Sequence, residues 1–110
     1  DHPMTNAFIE AGVCGFRTEV AADAPDGQNV KLSVTTDCDN IRDLVSQLGE
    51  IDAYAELGAG WEGVIQRVAR ATLKGCCSGC VVPGGLFKAM QVEANMALPQ
   101  TVSVRIEKQR

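Results

Sequence analysis

Three of the five cysteines stand in one five-residue stretch, Cys76-Cys77-Ser78-Gly79-Cys80. Thiolates are soft metal ligands and also attack disulfides, so thiols this dense suit either a metal centre or redox exchange. Cys77-Ser78-Gly79-Cys80 is a single C-x-x-C, whereas structural zinc sites usually bring two such pairs. The rest of a tetrahedral set would have to come from Cys14 and Cys38, joined by Cys80 and one of Cys76 or Cys77. Four thiolates of that kind suit zinc or an iron–sulfur cluster. Taken singly, Cys14 and Cys38 are also the small residues that cores bury readily.

Other chemistry is thinly supplied. The one histidine, His2, sits in Asp1-His2-Pro3, ahead of a Met4 that looks like a natural initiator. Those three residues read as a scar left by cloning, and residues 4–110 as a single domain. Without His2 there is no His-rich catalytic zinc site and no Ser-His-Asp or Cys-His arrangement. A net charge of −4 offers no basic footprint for a phosphate backbone, so a nucleic-acid partner is not expected. No apolar run approaches the roughly 20 residues of a membrane span, and the N-terminus lacks the basic and apolar regions of a signal peptide, so a cytoplasmic location with no membrane contact is the default expectation, although a mature secreted chain would lack its signal too. Asp37 and Asp39 flank Cys38 and can do acid–base work, but a helix cap explains them more simply. Glu50, Asp52 and Glu56 read as solvated surface without EF-hand spacing. Trp61 and Tyr54 can line a pocket, although core packing is the simpler role, and Met90 and Met96 read as core or interface filler.

The elements that position these thiols follow from periodicity. Residues 16–22 and 30–36 have strand character, and Val30, Leu32 and Val34 alternate with polar residues. Pro25-Asp26-Gly27-Gln28-Asn29 is a turn cluster, so the two form an antiparallel hairpin. Residues 6–11 read as a further short strand ending in a tight turn or bulge at Gly12-Val13-Cys14-Gly15. A helix capped by Asp39 carries Ile41, Leu44, Val45 and Leu48 on one face and stops at Gly49. Gly58-Ala59-Gly60 reads as a mobile junction to a second helix, which begins near Trp61 with Val64, Ile65 and Val68. A third spans residues 84–98, with Phe87, Met90, Ala94 and Ala97 in helical spacing and Pro99 ending it. Val102, Val104 and Ile106 then alternate with Ser103, Arg105 and Glu107, predicting a closing strand over residues 101–107. The expected fold is α+β, a small mainly antiparallel sheet covered on one side by about three helices. Every cysteine then lies at an element end, and helix starts after Cys38 and Cys80 are expected to favour their thiolates.

The stretch Ala11-Gly12-Val13-Cys14-Gly15-Phe16, the Thr36-Asp37-Cys38 strand end, and Cys80-Val81-Val82-Pro83 leading into Leu86-Phe87-Lys88-Ala89-Met90 resemble a small prokaryotic family of uncharacterised cysteine-containing proteins. The resemblance covers Ala11 to Lys108 and implies no established activity. More distantly, a cysteine before one helix and further cysteines before an apolar helix are similar to TSCPD domains. Those are suspected of binding metal and also occur attached to ribonucleotide reductases. Here Gly79-Cys80-Val81-Val82-Pro83 stands where the TSCPD motif would be, without its acidic residue.

The leading expectation is a metal-binding domain holding zinc or an iron–sulfur cluster through some of Cys14, Cys38, Cys76, Cys77 and Cys80. No general base or substrate pocket is evident, which favours a structural or carrier role over an enzyme. Disulfide exchange through Cys77 and Cys80, with Cys76 as modulator, is the competing reading, although the late position of the pair argues against a thioredoxin-like enzyme. A third is an interaction module with incidental thiols, forming a homodimer or binding a protein partner through a sheet edge or helix face.

Overall fold

The computed structural model describes residues 4–109, so the reading of Asp1-His2-Pro3 lies outside the described residues. Four strands, β1 (Thr5–Glu10), β2 (Arg17–Asp23), β3 (Asn29–Thr36) and β4 (Glu50–Asp52), form one sheet in the order β1-β2-β3-β4. Every neighbouring pair is antiparallel, with Glu10 opposite Arg17, Thr18 opposite Thr36 and Val30 opposite Ile51. Alternation sorts the faces, since period-2 side chains point to opposite sides of a strand. Val20, Ala22, Val30 and Leu32 are buried, while Glu19, Lys31, Ser33 and Thr35 are exposed. The sheet therefore has one dry face and one wet face.

Four helices follow, α1 (Asp39–Ser46), α2 (Ala53–Ala59), α3 (Val64–Thr72) and α4 (Val82–Glu93). α4 packs against β1, β2 and β3, α1 packs against β3, and α3 packs on α1 and α4. Ile41, Leu44, Ile65, Leu86 and Met90 are fully buried where these helices meet the strands and one another. Each large side chain so buried contributes roughly 1.5–3 kcal/mol of transfer free energy, which is what holds the helices to the sheet. The architecture is the expected α+β fold.

The direction of α4 decides where the thiols go. Near its start, Gly85 lies so close to β1 that a Cβ there would overlap the tip of the Ile9 side chain. Near its end, Glu93 Oε1 accepts from Thr5 N at 3.0 Å and Thr5 Oγ1 at 2.8 Å, and Oε2 accepts from Ala24 N at 3.0 Å. α4 thus runs antiparallel to β1, and its N-terminus lies at the Glu10 end of that strand.

Several expectations are corrected. Residues 101–107 form no strand: they are exposed, with Val102, Val104 and Ile106 at 59%, 71% and 88% accessibility. The strand that closes the sheet is β4, whose Ile51 is buried between Glu50 and Asp52 in what reads from sequence as a solvated acidic stretch. Asp52 caps α2, accepting from Tyr54 N and Ala55 N. Glu56 is buried, and its carboxylate accepts from Val64 N at 3.0 Å and Ile65 N at 2.8 Å, supplying the start of α3 from outside that helix. Gly58 and Ala59 belong to α2, and Gly60, at φ 57°, stands just past its end. Trp61 lies in a 3₁₀ turn before α3 and, like Tyr54, is exposed rather than core. α4 starts at Val82 and stops well before Pro99. Its last turn closes with Asn95 at φ 60° and Met96 N donating to Gln91 O, the left-handed cap that Asn tolerates best after Gly. Asp39 is the first residue of α1 and pairs with Arg42, while the cap position belongs to Cys38.

Candidate thiolate site

Three chain segments meet at the Glu10 end of the sheet because the register puts them there. The β1–β2 connection begins after Glu10, the β3–α1 junction follows Thr36 opposite the start of β2, and the start of α4 is held by the Gly85–Ile9 approach. Each carries cysteine. Cys14 sits in the first, a four-residue turn closed by Gly15 N donating to Gly12 O at 2.9 Å. Gly12 and Gly15 take φ values of 90° and 76°, which side chains resist, so the glycines around Cys14 are there for the turn.

Cys38 follows β3 as the residue capping α1, with its amide donating to Thr36 Oγ1 at 3.2 Å. Thr36 Oγ1 in turn shares a buried hydrogen bond of 2.9 Å with Thr18 Oγ1, which fixes the end of β3 to the start of β2. Gly75–Gly79 forms a 3₁₀ turn that carries Cys76 and Cys77, and Cys80 N donates to Cys77 O at 3.1 Å as the turn ends. The turn touches α1 directly, since Asn40 Nδ2 donates to Cys77 Sγ at 3.4 Å. Cys38, Cys77 and Cys80 are partly buried against the hydrophobic core, while Cys14 and Cys76 are exposed.

The electrostatics tie the segments together. Burial pushes the Cys80 thiol above its ordinary range, the Val82 amide hydrogen bond opposes that, and the charges of Cys14, Cys38 and Cys77 push it up further. Like charges resist ionising side by side unless a cation stands between them. This corrects the expectation that a helix start favours the Cys80 thiolate: Cys80 precedes the cap residue Val81, and burial outweighs the one amide that reaches its sulfur. All five cysteines are free thiols. Among the described residues, no three His, Cys, Asp or Glu side chains as placed form a group that could hold a metal ion.

Four of the five predicted site residues thus come to one end of the sheet from three separate segments, and Cys76 is the exposed neighbour of one of them. Asn40 is the residue that sequence reasoning missed. Its position in the first turn of a helix adjacent in space to a C-x-x-C is visible only in the fold. No helix of the described residues is long and apolar enough to cross a membrane.

A family model described as a family of unknown function, DUF6951, matches residues 5–106. No curated protein and no solved structure matches the chain.

Proposed function

For this chain, which belongs to the DUF6951 family of unknown function, we propose a thiolate-based metal-binding role, structural or carrier in kind. The ligands are Cys14, Cys38, Cys77 and Cys80, and the metal is zinc or the iron of an iron–sulfur cluster. The observation that carries this reading is the arrival of the β1–β2 turn, the β3–α1 junction and the start of α4 at one end of the sheet. A packing role does not call for thiols from three segments in one place, and four soft donors are what such metals take.

Cys77 is chosen over Cys76 because it is half-buried, takes the Asn40 hydrogen bond and acts electrostatically on Cys80. The site has a dry back formed by the core and an open front at Cys14, whose glycine-flanked turn has the freedom to close on a cation. The N-termini of α1 and α4 both lie at this end, and their dipoles favour the excess negative charge of a four-thiolate centre. Asn40 Nδ2 would hydrogen-bond a metal-bound Cys77 sulfur, the kind of outer contact that orients ligands. Reduced thiols of this kind suit a cytoplasmic location. Disulfide exchange is less favoured, because the half-buried Cys80 holds its proton more tightly than an attacking thiol should.

Anaerobic purification followed by elemental analysis and an ultraviolet–visible spectrum tests the reading. One zinc per chain, or iron with sulfide and cluster absorbance, is expected. Metal-free protein with an unchanged circular-dichroism spectrum, which also fails to take up cobalt(II) with thiolate charge-transfer bands, would sink it.

A further inference from the structure

The sheet has two unlike edges. At one, β4 is only three residues long and carries Glu50 and Asp52, so that edge is short and charged. At the other, β1 is six residues long, pairs with β2 alone, and contains neither Lys nor Pro. Its amide at Thr5 is taken by Glu93, and on its outer side no strand of the described residues pairs with it. Natural edges are usually blunted, and this one is left open. Phe8, in the middle of it, is 75% exposed.

The same chain carries a strand without a sheet. Residues 101–107 alternate Val102, Val104 and Ile106 with Ser103, Arg105 and Glu107, and all are exposed. Arg105 Nε lies 2.5 Å from Glu107 Oε2. Residues two apart lie on the same side of an extended strand, and this ion pair joins two residues of the tail's polar side, although the tail itself forms no strand here. Three aliphatic side chains are left on the opposite side. The described residues measure 50 × 27 × 26 Å, an elongation that fits a terminal segment carried away from the packed body.

We propose that the 101–107 segment of one copy adds as a fifth strand to the β1 edge of a second copy, and that the exchange is reciprocal, giving a two-fold homodimer. Length, backbone need and pattern match: seven residues of alternating tail meet six of open edge. The aliphatic side of the tail continues the dry face that Ala7 and Ile9 present to α4, and the Arg105–Glu107 side continues the wet face. The tail and the edge are different patches, so it is the reciprocity of the exchange about a two-fold axis that closes the dimer, where a one-way exchange would run on as an open fibre.

Sedimentation equilibrium and small-angle scattering on the intact chain, with V104D/I106D and a chain truncated after Gln100 alongside, test this. Twice the 11.7 kDa chain mass is expected for the intact chain. Both tail variants should be monomeric at the same concentration, with association weakened a hundredfold or more and the circular-dichroism spectrum retained. A chain that stays monomeric up to millimolar concentration would overturn the proposal, and so would a dimer that survives both changes. Loss of the folded spectrum in both variants would also overturn it, because it would place the tail in its own chain's core.

Discussion

The two ends of the sheet are built from opposite kinds of oxygen and sulfur chemistry. At the far end, carboxylates close every joint: Glu93 binds Thr5 and Ala24, and Asp26 Oδ1 accepts from Gln28 N and Asn29 N at 2.9 and 2.8 Å. At the near end the concentrated groups are thiols, and the hydrogen bonds to sulfur described there are two, from Asn40 to Cys77 and from the Val82 amide to Cys80. Carboxylates satisfied by fixed amides hold a fold together by themselves. Gathered thiols do not secure a fold in that way; on the reading proposed above, a soft cation joins them. The contrast sets an end that carboxylates secure against one whose thiols are the ligands of the proposed metal site.

That division can be broken by substitution. The largest effect expected is on metal content: Cys38→Ser or Cys80→Ser should take stoichiometry from one site per chain to none, while Cys76→Ser leaves it unchanged. Elemental analysis of the purified variants reads this directly, and equal loss in all three would remove the distinction between Cys76 and the rest. Next, Glu93→Ala leaves two amides and a hydroxyl without their acceptor and should cost about 2–4 kcal/mol in urea unfolding, with metal stoichiometry kept. If it lost metal as readily as stability, the two ends would not be separate.

A smaller effect follows from pH. The Cys80 thiol is raised in the fold, mainly by burial, so above the ordinary thiol range of about 8.5 the unfolded chain gives up a proton that the folded chain keeps. The stability that Cys80 contributes to metal-free protein is therefore full below that pH and is lost as pH rises through it. Metal binding requires deprotonated sulfur, so metal affinity should instead rise with pH over the same window. Denaturation and competition titrations across pH 7 to about 10 should slope in opposite directions. Smallest is Asp26→Ala. The Gln28 and Asn29 hydrogen bonds hold the Asp26 carboxyl at about 2, so its contribution is present above the ordinary carboxylate range and is lost as pH falls through 2. The variant should lower Tm slightly at neutral pH and not at all in strong acid.

Much of the framework was readable along the chain. Val30, Leu32 and Val34 announce β3, and Ile41, Leu44 and Leu48 announce α1, because a buried face imposes its period on the residues that fill it. β4 and α2 escaped because Ile51 is one apolar residue between two acids, too short a signal to carry a period, and because Glu56 reads as surface when its partners are amides eight and nine residues on. Residues 101–107 failed in the other direction. Alternation records the capacity to pair, whereas a strand also needs a neighbour, and none of this chain's own strands lies beside them.

By itself, the sequence determined that thiols are the only concentrated chemistry here, that they sit at the ends of elements, and that those elements make a sheet with helices on one face. These are local matters of residue type and period. Only the tertiary structure decided that Cys14, Cys38, Cys77 and Cys80 come to the same end. Antiparallel register fixed which strand ends coincide, and the packing of Gly85 on Ile9 fixed which way α4 points. Neither is written in the spacing of the cysteines, because contacts between distant segments are chosen by the core they share.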